Sequence, residues 1–455
     1  MKAPLLDRNL NADIAWVTEP LVALGGRCGT VSTATFLAQV HSLAGKLPHG
    51  QHAINLCGNR YLFTLAFCAV IVRGQTNLLP PNRNVATQAR LLERYPETFV
   101  LHDGSELLDG IDSLNVNNLS LFDCGEANEI PLIPLNHLAA IAFTSGSTGD
   151  SKPNLKSWLT FYESTKINKR YMYEECANTV YQLATVPGQH MWGLETSVLL
   201  PLFADICVLD CKPLFPADIQ KKLQMISGEK LLVSTPVHLR ALELSGLTFP
   251  TLNRILSATA PLSAEQAEKL EQCFNCQVRE VYGCSEVGSM AYRRTAKAEP
   301  WTLFEGLDLN EEDQGTRATG NHLPESVLLQ DFMNFSDERH FELAGRHADL
   351  IEIAGKRGSL QEINKVLLAC DGVVDGVVFL PENSQQNVAR LVALVVLNTA
   401  SPDLNKDVLQ TVFREHLDAA FVPRPIYIVD ALPREENGKL TKAKILELYS
   451  QLSSM

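Results

Sequence analysis

An apolar run of strand length, Leu138 to Phe143, opens directly onto Thr144-Ser145-Gly146-Ser147-Thr148-Gly149-Asp150-Ser151-Lys152. This is the sharpest constraint in the chain. Glycines let a backbone close tightly on an anion and turn its N–H groups toward it. The flanking hydroxyls and the lysine add donors and positive charge suited to phosphate oxygens. The segment is not a Walker A loop, because no Gly-Lys-Ser/Thr opens a following helix. The plain alternative is a solvated Ser/Gly turn, so the rest of the chain has to decide.

Around this loop, helical and strand signals alternate. Phe36, Val40, Leu43 and Leu47 fall at helical spacing behind a Ser32-Thr33 cap. Residues 53–56 read as a strand and residues 60–73 as a buried helix. Leu231-Leu232-Val233 and Arg254-Ile255-Leu256 read as further short buried strands. Such alternation predicts an α/β domain with a largely parallel sheet. At 455 residues the chain exceeds one ordinary core, so two or more domains are expected. The last hundred or so residues have another rhythm: strand 350–353, helix 360–370, paired strands 376–380 and 391–397, helix 406–417. That is a small α+β unit. The expected division is therefore an N-terminal domain over residues 1–346 and a C-terminal domain over 347–455. No Pro/Ser-rich linker separates them, which suits a short hinge.

Lys and Arg total 39 against 52 Asp and Glu, a net charge of −13. That balance argues against nucleic acid and anionic membrane as partners. The longest apolar run, Tyr61 to Val72, is too short to span a bilayer. Charges at Asp7, Arg8, Asp13 and Glu19 break up the N-terminus, which does not read as a signal peptide. The 11 cysteines are scattered. Cys273 and Cys276 form one Cys-x-x-Cys without a second pair, so they read as reduced core thiols rather than a zinc site. The expected setting is the cytoplasm.

Further motifs follow in order. Tyr282-Gly283-Cys284-Ser285-Glu286 ends in a carboxylate suited to Mg²⁺. Gly345-Arg346 precedes Asp349, and Gly355-Lys356-Arg357 precedes Glu362. Leu432-Pro433-Arg434-Glu435-Glu436-Asn437-Gly438-Lys439 presents a lysine on a Gly-containing turn. Singly, each reads as a turn or a surface charge.

Together and in this order, the motifs resemble the adenylate-forming superfamily of acyl-CoA synthetases, adenylation domains and luciferases, over nearly the whole chain. The resemblance implies that residues 144–152, with Thr148 among them, bind the ATP phosphates. Tyr282, Gly283 and Ser285 match the Tyr-Gly-x-Thr-Glu motif, and Glu286 would hold the metal. Asp331 and Arg346 match the ribose-binding pair, and Lys439 the C-terminal lysine of adenylation. Ser257-Ala258-Thr259-Ala260-Pro261-Leu262 resembles the segment lining the nucleotide and acyl sites. Pro187-Gly188-Gln189-His190-Met191-Trp192-Gly193 is similar to the acyl-site stretch of acyl and aryl ligases, where amino-acid-activating domains carry an aspartate near His190. The run from Val186 to Leu202 looks most like small ligases of bacterial aryl polyene pathways.

What the resemblance implies is ATP- and Mg²⁺-dependent activation of a small-molecule carboxylic acid to an acyl-AMP. The acyl group then passes to coenzyme A or to the phosphopantetheine of an acyl carrier protein. An aromatic acid of hydroxybenzoate or hydroxycinnamate type is the first expectation. A medium-chain fatty acid or o-succinylbenzoate comes next, and a non-catalytic adenylate-binding protein is the reading of another class. Lys356, Arg357 and Lys365 are candidates for a basic patch toward an acidic carrier. The chain also departs from the family pattern. Ser151 replaces the loop proline, Ala258 replaces a glycine, and Ala348 stands at the hinge position where an aspartate is usual.

Overall fold

The structure, a computed structural model, describes residues 1–104, 107, 110–144, 152–173, 178–346, 349–353, 356–381, 390–398, 404–435 and 438–453. At 144, 152, 346, 350, 352 and 357 it describes the backbone alone. The chain is an α/β protein with a large N-terminal domain and a smaller C-terminal one. It divides into two compact units. The first holds Met1–Glu299, Leu303–Leu307 and Gly320–Glu325, and the second holds Pro300–Thr302, Asp308–Thr319 and Ser326–Met455.

In the first unit a 6-stranded sheet runs in the order Lys152–Ser157, Leu138–Thr144, Thr76–Leu79, His52–Asn55, Thr98–His102, Ser113–Asn115. Its neighbours are parallel except the first pair, which is an antiparallel hairpin. The helices between strands start where side chains take up their free N–H groups: Ser32 accepts from Thr35, Asn59 from Leu62 and Ser157 from Thr160. The helix Arg60–Val72 is buried almost all round, with Leu62, Leu65, Phe67 and Val70 at 0% exposure. It is core helix, as its length demands. Burying each such side chain contributes roughly 1.5–3 kcal/mol.

A second sheet contains, side by side, Gly288–Arg293, Gln277–Cys284, Arg254–Ser257, Glu229–Ser234, Val180–Ala184, Ile206–Leu209, Asp13–Leu21 and Arg27–Ser32. The middle of this run is parallel, and the pair on either side of it is antiparallel. Among the described residues no helix is long and apolar enough to cross a membrane.

The second unit pairs Asp331–Phe335 antiparallel with His340–Arg346, and Leu350–Ile353 with Lys356–Ser359. Beyond them Val373–Phe379, Val392–Leu397 and Ile426–Ile428 form a 3-stranded sheet. The helices Leu360–Leu368 and Lys406–His416 lend Leu367, Leu409 and Phe413 to one apolar core around it. The helix Lys442–Ser453 lends Ile445 to another. Helix and strand expectations for this segment hold to within a few residues, while this last helix went unread.

Candidate active site

Strands of a parallel sheet end on one edge, and ligands of open α/β sheets bind there. Register places Ala184 beside Val233, Ser234 beside Ser257, and Ser257 beside Glu280. The loops that follow these strands therefore leave from a common edge. They carry the motifs expected to bind acid and nucleotide.

The loop after Val180–Ala184 runs through His190, the half-buried residue that precedes the helix Met191–Leu194. A Cβ on Gly193 would overlap the Pro187 carbonyl oxygen, so the tight return of this loop demands glycine. Arg60, wholly buried, donates to the carbonyls of Ala184 and Val186 and to the Ser197 hydroxyl. Burial lowers its guanidinium to about 10. Arg83 donates to Gln189 Oε1 at 2.9 Å. Trp192 is itself buried, and its indole N–H donates to Ser234 O at 3.0 Å. It anchors this loop to the next strand. The residues Glu195–Leu199 then wind as a π-helix, a form concentrated at functional sites.

His238, which the sequence reading missed, lies on the helix Pro236–Leu244 beside this edge. Its Nδ1 is 3.1 Å from Thr235 Oγ1 and 3.3 Å from Thr185 Oγ1. Burial and then Lys212 hold its pKa below the usual 6.5.

Ser257 ends its strand with its hydroxyl buried and without a partner among the described residues. Ala258 is buried, and Thr259 sits at φ 83°, a strained backbone for a β-branched residue and a mark of functional sites. Ala260 is half-buried. Glu280 braces this segment: it accepts from Leu262 N at 3.0 Å, Thr295 Oγ1 at 2.7 Å and Arg293 Nε at 2.7 Å.

Tyr282, Gly283 and Cys284 end the strand Gln277–Cys284, whose hairpin turn onto Gly288–Arg293 carries Ser285 and Glu286. Tyr282 is buried and Glu286 exposed. Burial pushes the Cys284 thiol up to about 12, which suits an inert thiol. Lys156 donates to the carbonyl of Glu286 at 2.7 Å. Lys156 is fully buried, and burial lowers its pKa against the partial opposition of Glu195.

Thr144 and Lys152 stand opposite each other at the mouth of the antiparallel hairpin. Ser145, Gly146, Ser147, Thr148 and Gly149 lie outside the described residues, as do Ala348 and Gly355.

In the second unit, register pairs Asp331 directly with Arg346. Thr316 Oγ1 holds the Asp331 carbonyl at 2.8 Å. Two residues far apart in sequence thus meet as cross-strand partners. Lys439 is exposed on a turn in which Gly438 N donates to Glu435 O and Glu435 N to Lys439 O, each at 2.8 Å. Arg434, pinned by Asp375, donates to the Gly438 carbonyl at 2.8 Å. Of the basic candidates, Lys356 is paired with Asp418.

Among the described residues no group of three or more His, Cys, Asp or Glu could hold a metal. Cys273 and Cys276 are free. A lone exposed carboxylate fits a Mg²⁺ ion that arrives on nucleotide phosphates, since Mg²⁺ keeps several waters and takes one or two protein carboxylates.

The AMP-binding enzyme family model matches residues 47–320, and the model for the AMP-binding enzyme C-terminal domain matches residues 362–439. A 3,4-dihydroxybenzoate–[aryl-carrier protein] ligase of Bacillus anthracis is 21% identical over 381 residues, 79% of this chain and 86% of that one. A 4-coumarate–CoA ligase of Rhodobacter capsulatus is 28% identical over 234 residues, 51% of this chain and 58% of that one. ATP-bound MatB from Rhodopseudomonas palustris superposes with a TM-score of 0.81 at 18% identity, covering 99% of this chain and all of that one. The fold and these matches define an AMP-forming acid–thiol ligase. The chain belongs to the AMP-binding enzyme family.

Proposed function

We propose that this ligase activates an aromatic acid of hydroxybenzoate or hydroxycinnamate type as its acyl-AMP and passes the acyl group to a thiol. The observation that carries the reading is the shared sheet edge, where the His190–Trp192 loop, Ser257–Ala260 and Tyr282–Glu286 stand at the ends of parallel strands of one sheet. The names of the Bacillus and Rhodobacter relatives, both aryl acid ligases, support the substrate class. The likeness of Val186–Leu202 to aryl polyene ligases points the same way.

In the first step the carboxylate attacks the α-phosphate of ATP and pyrophosphate leaves. Both reactants are anions, so the site has to stabilise the charge they bring together. Lys439 bridges the carboxylate and α-phosphate, while Thr144 to Lys152 hold the outer phosphates. Asp331 and Arg346 hold the ribose, and Tyr282 lies against the adenine. Glu286 would hold Mg²⁺, which would supply positive charge to the phosphates. His190 and Trp192 face the acid. Holding the reactants in place supplies at best roughly 7–11 kcal/mol of the barrier. In the second step the thiol of coenzyme A or of a carrier protein displaces AMP. For this step Lys439, on the expected C-terminal domain of residues 347–455, withdraws. The described cysteines are free thiols, which supports a reducing, cytoplasmic setting.

ATP–pyrophosphate exchange with a panel of acids tests this reading. Exchange should be stronger with 4-hydroxybenzoate or 4-coumarate than with decanoate or o-succinylbenzoate. A clear preference for decanoate overturns the substrate class. Silence with every acid favours a non-catalytic adenylate-binding protein, against which the retention of Lys152, Glu286 and Lys439 together stands.

A further inference from the structure

Two buried, oppositely charged side chains of the first unit grip the hairpin turn that carries Glu286. Lys156 lies on the strand Lys152–Ser157, which leaves the phosphate loop, and is 2% exposed. Its ammonium is directed at a backbone atom: Nζ donates to the Glu286 carbonyl at 2.7 Å. Glu195 opens the π-helix Glu195–Leu199, just beyond His190 and Trp192, and is 3% exposed. Its carboxylate accepts from Ser289 Oγ at 2.7 Å and from Ser289 N at 3.2 and 3.3 Å. Gly288, at φ 95°, lies against it, and a Cβ there would come within 2.5 Å of Glu195 Oε1. Between these two grips, His322 Nε2 is 3.1 Å from the Val287 carbonyl. The turn is thus held at Glu286 and Val287, and the strand it leads into at Ser289, by side chains from separate segments.

Burying a lysine and a glutamate costs several kcal/mol each, and a buried pair is weak evidence for stability in itself. Apolar residues of similar volume would fill the same space. What they could not do is hold the Glu286 carbonyl of the turn and the Ser289 amide of the strand that follows it in fixed directions. A turn that must present one carboxylate to a cation with strict octahedral demands needs that restraint.

We propose that Lys156 and Glu195 are positioning residues that orient the Ser285–Val287 turn, so that Glu286 meets the magnesium nucleotide, and that tie this turn to the helix beginning beyond His190. The inference rests on the reading of Glu286 as the metal ligand. It extends that reading to residues that touch neither metal nor substrate.

The test compares wild type with Lys156→Met, Glu195→Gln and Glu286→Gln in the full chain. Amide hydrogen exchange on the ligand-free protein reports the turn, and Mg²⁺ titration of ATP–pyrophosphate exchange reports its use. Lys156→Met should speed exchange across residues 284–289 by about tenfold or more, the scale of one charged hydrogen bond, and leave Arg254–Ser257 as protected as in wild type. It should raise the Mg²⁺ concentration for half-maximal activity by a similar factor while the KM for the acid stays nearly constant. Glu195→Gln preserves shape and should do the same more weakly, so it carries the test if Lys156→Met does not fold. Unchanged turn exchange in a folded Lys156→Met or Glu195→Gln overturns the inference. A loosened turn in those variants, together with an unaltered Mg²⁺ response in Glu286→Gln, overturns the metal reading of Glu286 and this assignment with it.

Discussion

His238 shows at the level of one residue how the sheet edge makes an ordinary side chain informative. In sequence it is a histidine within a short half-buried helix, with nothing to mark it. In the fold its ring sits between Thr185 and Thr235, and burial holds its pKa below the usual 6.5. The sign of the pH effect follows. An unfolded chain takes up this proton near pH 6.5, whereas the folded chain resists it. The stability that His238 contributes is therefore full above that pH and is lost as pH falls toward the folded-state value. The thermal midpoint should drop between pH 7.5 and 5.5, and drop less in His238→Gln. An equal acid-side loss in both proteins would show that this histidine does not titrate as argued. Lys156, Glu195 and Glu280 were equally silent in the sequence, because burial of a charge is a property of its neighbours.

At the scale of elements, the turn that presents Lys439 depends on a residue from a distant strand. Asp375, at the start of the 3-stranded sheet, takes Arg434 Nε at 2.7 Å and Nη2 at 2.6 Å. Arg434 then holds the Gly438 carbonyl. Their side chains are only 19% and 16% exposed, so solvent screens the pair little. Asp375→Ala should cost about 1.5–3 kcal/mol, the range for charged hydrogen bonds, and should slow acyl-AMP formation. Asp375→Asn, which keeps one acceptor, should fall between it and wild type. Thermal unfolding and pyrophosphate exchange check both. Full activity in Asp375→Ala would mean that the turn holds its shape without this pair. Helices here were readable in advance where cap and periodicity agreed, as behind Ser32, or from the apolar or helical pattern alone, as at residues 60–73 and 406–417. The cross-strand match of Asp331 with Arg346 was legible only as a spacing.

For the whole molecule, the prediction concerns the division of labour between two units. Lys439, Asp331 and Arg346 belong to the second, while the Tyr282–Glu286 turn belongs to the first. If Lys439 serves only the adenylation step, Lys439→Ala should lower acyl-AMP formation by about 10²–10³ or more, the scale for a lost preorganised charge contact. Thioester formation from a preformed acyl-AMP should scarcely change. The decisive assay gives each protein synthetic acyl-AMP and a thiol acceptor. An equally severe loss in this second half-reaction would refute a lysine that acts in one step alone.

The chain by itself determined the class of fold and the order of its motifs. Strand and helix periodicity, caps and a glycine-rich loop are local, and each is written within a few residues. Its resemblance to adenylate-forming enzymes was carried by spacing along one dimension. Only the tertiary structure decided that Asp13–Leu21 joins Ile206–Leu209 in one sheet, and that Val208 lies beside Ala15. It alone set Arg60 under the acyl loop, and Lys156 and Glu195 under the Glu286 turn. Those contacts join segments about 90 to 190 residues apart. Their energies come from burial and from hydrogen-bond directions that exist only once the sheets have assembled, which no local pattern can encode.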